Sequence, residues 1–133
     1  MSLRLRSGLG CWIAVVVGAV LVGCATLPPA QPARDLKAIA GKWEGTLTTR
    51  AGVRFAYTST ISEDGKTETI VPGMSNPGPK FAGAVRVEGG KYRWKSETTG
   101  RTGTYTLHEG EGRRVLVSQA DDGTTTGEAT PVK

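Results

Sequence analysis

The chain has 133 residues and a formal net charge of +5, with 19 glycines and 7 prolines set mostly between short alternating segments. That length allows one domain with one modest core, and the glycine and proline punctuation points to tight turns, not to disorder. The positive charge is mild and interspersed with acids, which argues against a nucleic-acid partner and leaves at most a weak attraction to anionic head groups or cell-wall polymers.

In chain order, residues 1–6 carry Arg4 and Arg6 and no acid. Leu9 to Val22 is then apolar apart from Gly10 and Gly18. As a helix this run would span roughly 21 Å, short of a hydrocarbon core of about 30 Å, so it suits an export signal better than a permanent span. Leu21-Val22-Gly23-Cys24 follows directly. It resembles the lipobox of bacterial lipoproteins: an aliphatic residue, a small or aliphatic one, Gly or Ala, then Cys. A thiolate is the nucleophile suited to accept a diacylglyceryl group, and small residues before it give a membrane peptidase access to the backbone.

The resemblance implies a signal peptide over 1–23, cleavage between Gly23 and Cys24, and lipidation of Cys24. The partners it implies are the membrane, through the lipid anchor, and the lipoprotein processing and sorting machinery. Ala25, where an Asp tends to retain enterobacterial lipoproteins in the inner membrane, favours the outer membrane of a bacterial cell envelope, facing the periplasm. Cys11 and both leading arginines leave with the signal. The mature chain then has no second thiol, hence no disulfide within itself, and fifteen basic residues face twelve acidic ones, a net of +3.

Residues 24–34 read as the lipidated cysteine and a proline-rich tether, extended at up to ~3.1 Å per residue. Residues 35–133 read as the folded domain. A helical turn is expected at 35–40, with Asp35 as cap, Leu36 and Ile39 buried and Gly41 as stop. The period then becomes two, and turn signals recur about every ten residues. Eight strands are expected at 42–49, 53–62, 66–71, 81–88, 91–97, 103–109, 113–119 and 124–130.

Hairpin geometry tests the alternation, because a one-residue slip inverts every face. A two-residue turn at Gly89-Gly90 pairs Val87 with Tyr92 and Val85 with Trp94, and sets Arg86 beside Arg93 and Glu88 beside Lys91. A three-residue loop at 50–52 pairs Leu47 with Phe55 and Gly45 with Tyr57. A three-residue loop at 110–112 pairs Leu107 with Val115 and Tyr105 with Val117, leaving His108 beside Arg114 outside. The expected inner set is Trp43, Leu47, Val53, Phe55, Tyr57, Ile61, Val85, Val87, Tyr92, Trp94, Tyr105, Leu107, Val115 and Val117. One sheet buried on a single face must curl, so the expected fold class is all-β, a small antiparallel meander barrel of about eight strands. Residues 71–79 are expected to form an irregular loop that either covers one mouth or joins the halves.

Gly41-Lys42-Trp43, opening the first strand after the helical turn, is similar to the G-x-W signature of lipocalins, whose tryptophan packs across the barrel base. The resemblance covers about ten residues and implies a lipocalin-like architecture.

Chemistry is sparse. His108 is the sole histidine, with no acid or nucleophile spaced to serve it. Glu63-Asp64-Gly65 and Asp121-Asp122-Gly123 lack the alternating ligands of a calcium loop and read as turns. Gly100 to Gly103 and Gly110 to Gly112 precede no helix, so they do not cradle phosphate. The expectation is therefore a non-enzymatic protein with no catalytic residue, metal ligand or cofactor. Two candidate sites remain. Trp43, Phe55, Tyr57, Tyr92 and Trp94 either fill the core or line a pocket for a small apolar ligand. Arg86, Lys91, Arg93 and Lys95 form an outward basic stripe that either contacts an anionic envelope component or only keeps the sheet soluble. The expected role is a binding or structural module of the envelope. The alternative is inhibition of a cell-wall hydrolase: small barrel lipoproteins that inhibit lysozyme carry a Ser and a Lys into its cleft, and Lys91-Tyr92 and Lys95-Ser96 are loosely similar. Their disulfide is missing here.

Overall fold

The computed structural model describes residues 27–74 and 78–133; the expected signal segment and lipobox, with Cys24, lie outside the described residues. Nine strands follow one another: β1 (Ala30–Gln31), β2 (Gly41–Thr49), β3 (Arg54–Ile61), β4 (Lys66–Ile70), β5 (Lys80–Glu88), β6 (Lys91–Ser96), β7 (Thr102–Gly110), β8 (Arg113–Ala120) and β9 (Thr125–Pro131). All eight expected strands are present, their ends moved by one residue at most. From β2 onward each strand pairs antiparallel with the next, and β9 returns to pair with β2. The meander thus closes into an eight-stranded barrel, which leaves no long sheet edge to be satisfied elsewhere.

Two of the three hairpin registers agree with expectation. Val87 faces Tyr92 and Val85 faces Trp94 across Gly89-Gly90, while Leu47 faces Phe55 and Gly45 faces Tyr57. The third is corrected. The turn between β7 and β8 is the two-residue Glu111-Gly112, so Gly110 stays in the strand opposite Arg113 and Leu107 faces Leu116. Such a turn requires positive φ at both central residues, and Glu111 at +51° joins Gly112 at +75° in supplying it. A non-glycine residue in that conformation is uncommon, and Glu111 is the only one among the described residues.

The consequence is a face inversion on β8. Leu116 enters the core cluster, whereas Val115, although only 4% exposed, and the half-buried Val117 lie outside that cluster. Arg114 takes an inward position at the end of the barrel, and His108 stands across from Val115, not Arg114. Val53 and Val87, also expected inside, are 50% and 38% exposed because each sits where its strand runs into a turn.

The barrel has one closed end. There Trp43, Ile61, Val85, Tyr92, Leu107 and Leu116 are buried beneath a single 3₁₀ turn, Leu36–Ala38. Ile39, wholly buried, follows this turn, and its carbonyl accepts the Trp43 indole N–H at 2.9 Å. The Arg114 guanidinium lies 5.2 Å from the Trp43 ring centroid, donates to the Ala38 carbonyl and meets Glu109 at 3.3 Å. A cation over an indole face is an attractive arrangement, here with the Arg114 side chain half-buried. Tyr92 Oη donates to the Asp35 carbonyl at 3.0 Å. The Asp35 side chain makes no capping bond, so its expected role passes to its backbone.

The tether is not free along its described length. β6 ends short of the lower part of β7, and β1 occupies that edge, with Ala30 facing His108 and Gln31 facing Leu107. Glu109 N–H donates to the Pro29 carbonyl at 3.0 Å, His108 Nδ1 lies 2.9 Å from the Pro28 carbonyl, and Ala33 N–H donates to Gly90 at 3.2 Å. The chain therefore joins the barrel from Pro28, not from residue 35 as expected.

On the outer surface Asp121 accepts both terminal nitrogens of Arg93, at 2.9 and 2.5 Å, and the Thr102 hydroxyl at 2.7 Å. The two-pronged guanidinium is the main reason that this carboxyl is held down to about 2. Asp64 and Asp122 are lowered too, mainly by the hydroxyls of Ser62 and Thr124. A carboxyl whose folded pKa is depressed stabilises the fold above its unfolded value and loses that contribution as pH falls through the folded one. Thermal melts of Asp121→Asn should accordingly show a shallower decline than the parent between pH 4 and pH 2. Identical slopes would show that the pair contributes nothing.

Candidate functional site

Inward residues change character along the barrel. Toward the open end the apolar floor gives way to Ser59, Thr67, Thr69, Ser118 and Thr125, interleaved with Tyr57, Phe81, Trp94 and Tyr105. A cavity of about 160 Å³ opens between them, walled also by Leu47, Val71 and Met74. Small hydroxyl residues create this room: a Leu or Ile at those positions would fill it.

Two glycines seat the aromatic walls. A Cβ at Gly103 would fall 2.2 Å from Trp94 Cζ2 and 2.3 Å from the Gln119 carbonyl, so only hydrogen leaves space for the indole there. A Cβ at Gly127 would fall 2.8 Å from Tyr57 Oη. Trp94 lies over Gly103 of the neighbouring strand β7, as aromatic residues do over sheet glycines, and Tyr57 reaches across the barrel interior past β2 to Gly127 of β9. Gly103→Ala should destabilise the domain by about 1–3 kcal/mol, the usual cost of overpacking, and change the near-UV circular dichroism of Trp94. An unchanged spectrum and midpoint would contradict this packing.

Trp94 and Tyr105 stand with ring centroids 6.2 Å apart and planes at 43°, an attractive tilted pair. Burial pushes the Tyr105 phenol up to about 12, partly opposed by its hydrogen bond with Ser59. Burial is also the main cause that raises Tyr57, with Tyr105 and Glu128 adding to it. Both phenols are thus neutral at ordinary pH: they offer hydrogen bonds but no base or nucleophile. Ser59 Oγ and Thr69 Oγ1 are 2.9 Å apart and bonded to each other. The Trp94 indole N–H is buried with no acceptor among the described residues.

The five aromatic residues singled out from the sequence separate. Tyr57 and Trp94 line the cavity. Trp43 and Tyr92, 1% and 2% exposed, belong to the closed end. Phe55 is half-buried near Gly73 and does not line the cavity. Phe81, Tyr105, Leu47, Val71 and Met74 join the wall without having been named as site residues. The signal that finds them is position: inward residues on the half of each strand nearest the 50–53, 71–79, 97–101 and 121–124 connections.

The basic stripe is partly engaged. Arg86 pairs with Glu88 at 2.9 Å and Arg93 with Asp121, whereas Lys91 and Lys95 form no ion pair among the described residues. The two acidic segments are turns: Asp64 accepts the Ser62 hydroxyl and Lys66 N–H, and Asp122 accepts Thr124 N–H at 3.0 Å.

Compared with family models, with curated proteins and with solved structures, the chain matches none.

Proposed function

We propose that this protein is a lipid-anchored, periplasm-facing lipoprotein of the bacterial envelope whose barrel binds a small ligand of single-ring size, without catalysis. The observation that carries the binding role is the aromatic-walled cavity at the open end. Barrels of eight strands either fill their interior or hold one small ligand, and here the small Ser59, Thr67, Thr69, Ser118 and Thr125 among the wall residues leave it unfilled. Its 160 Å³ is close to the ~150 Å³ of an apolar cavity that accepts benzene. That size favours a single ring over a folded lipid chain as occupant. Trp43 across the base is the position that the G-x-W resemblance implies, which supports the lipocalin-like reading. The lipobox Leu21-Val22-Gly23-Cys24 supports the anchor.

The Trp94 ring stands in the cavity wall, so its fluorescence would report a ligand that enters. For about seven heavy atoms, binding of roughly 5–7 kcal/mol corresponds to Kd values of about 10–200 µM. Cyclohexanone is a suitable probe. Its titration should shift the tryptophan fluorescence of the mature protein saturably, and Trp94→Phe should abolish the response, because Trp43 is shut in the closed end. A flat titration to several millimolar would refute the binding role.

A further inference from the structure

We propose that the closed end of the barrel is a lipid-facing surface, held against anionic phospholipid head groups so that the mouth of the cup points away from the bilayer. This rests on the reading of Cys24 as the lipidated residue, and three observations carry it further.

The first is direction. β7 runs from the mouth to the closed end, and β1 lies antiparallel to it. Followed backward from Ala30, the chain passes the Pro29 and Pro28 carbonyls, bonded to Glu109 and His108, and so leaves the barrel at the closed end. Gly110, at the foot of β7, sits against Pro28 and Pro29.

The second is length. Four residue steps separate Pro28 from Cys24, at most ~14 Å of extended chain. A nine-residue strand tilted by about 40° gives a barrel some 23 Å long. The closed end is therefore within reach of the head groups, and the mouth stands a barrel length beyond it.

The third is charge. Arg34, Lys37, Lys42 and Lys91 are exposed at the closed end and form no ion pair with another described residue. Toward the mouth Lys80, Arg93 and Arg101 are engaged by Glu68, Asp121 and Asp122, while Arg54 and Lys95 form no ion pair with another described residue. On the side where the anchor would place lipid, unengaged cations outnumber those at the mouth, although Asp35, Glu63 and Glu111 stand among them. A cup in this pose exchanges its ligand with the aqueous side of the membrane.

The test uses the lipidated protein in vesicles of phosphatidylethanolamine and phosphatidylglycerol carrying a nitroxide on a fraction of the head groups. A bimane is placed on Glu63→Cys, in the closed-end turn, or on Ala51→Cys, at the mouth; both positions are exposed. Quenching at 63 should exceed that at 51 severalfold, and Lys37→Glu with Lys91→Glu should narrow the difference. Equal quenching, or stronger quenching at 51, overturns the pose. An unchanged difference in the double variant overturns the part assigned to the cations. Failure of the anchor itself is distinct: the protein would wash off the vesicles and show an unacylated mass.

Discussion

Trp43→Ala is expected to destabilise the domain by about 3–5 kcal/mol, in the range for truncating a buried aromatic residue. The loss has three parts, and each has a partner on the page. The ring is 1% exposed, its N–H donates to Ile39, and its face carries the Arg114 guanidinium. Truncation opens a void under the 3₁₀ turn and strands the Ile39 carbonyl, while Arg114 loses the surface on which it rests. For about 100 residues each kcal/mol moves the midpoint by roughly 4–8 °C, so thermal melting should fall by roughly 12–40 °C. Trp43→Phe keeps most of the packing and loses the N–H bond, a change of about 1 kcal/mol. A melting point within a few degrees of the parent in the alanine variant would show that the base does not hold the barrel together.

Cys24→Ser is the second large effect, and it acts on place, not on stability. A thiol is a few per cent ionised near neutral pH and intrinsically nucleophilic, whereas a serine hydroxyl without an activating base is not. The variant should carry no acyl chains, and the processing that follows lipidation should stop. Intact mass should then show residues 1–23 still attached, where the parent is expected to show a chain that begins at an acylated Cys24. The barrel starts beyond the substitution, so its melting should be unaffected. A serine variant with the parent's processing and membrane association would remove the anchor from the account.

The outline of the fold was readable because alternation, turn residues and strand length agreed with one another along the whole domain. Val85, Val87, Tyr92 and Trp94 fell into register from a Gly-Gly turn alone, since that turn admits one pairing. The error on β8 has a specific cause. Val115, Leu116 and Val117 are three apolar residues in a row, so alternation cannot choose a face there, and the choice passed to a turn whose two left-handed residues include the non-glycine Glu111. Arg114 went unrecognised for the same reason. No sequence pattern announces an arginine that closes a barrel by lying on a tryptophan.

The candidate site was half legible. Aromatic residues on inward positions were visible, but whether they filled the barrel or bordered a space depended on which end of each strand they occupied. Trp43 and Tyr92 share parity with Tyr57 and Trp94, yet lie under the plug. The deciding residues were the small ones, Ser59, Thr67, Thr69 and Ser118, which look like ordinary strand residues until closure brings them to one mouth. The docking of β1 was equally hidden, because Pro-rich sequence suggests a spacer and the vacant edge of β7 exists only once β6 stops short.

The claim on which the functional account turns is that the open end receives a ring-sized ligand. Methyl spectra of the mature protein, labelled with ¹³C at leucine, valine, isoleucine and methionine, test it directly when phenol is titrated to a few millimolar. The account predicts saturable shifts at Leu47, Val71 and Met74, with Ile61, Val85 and Leu116 at the closed end unmoved. No saturable shift, or shifts scattered over the outer face, would contradict it.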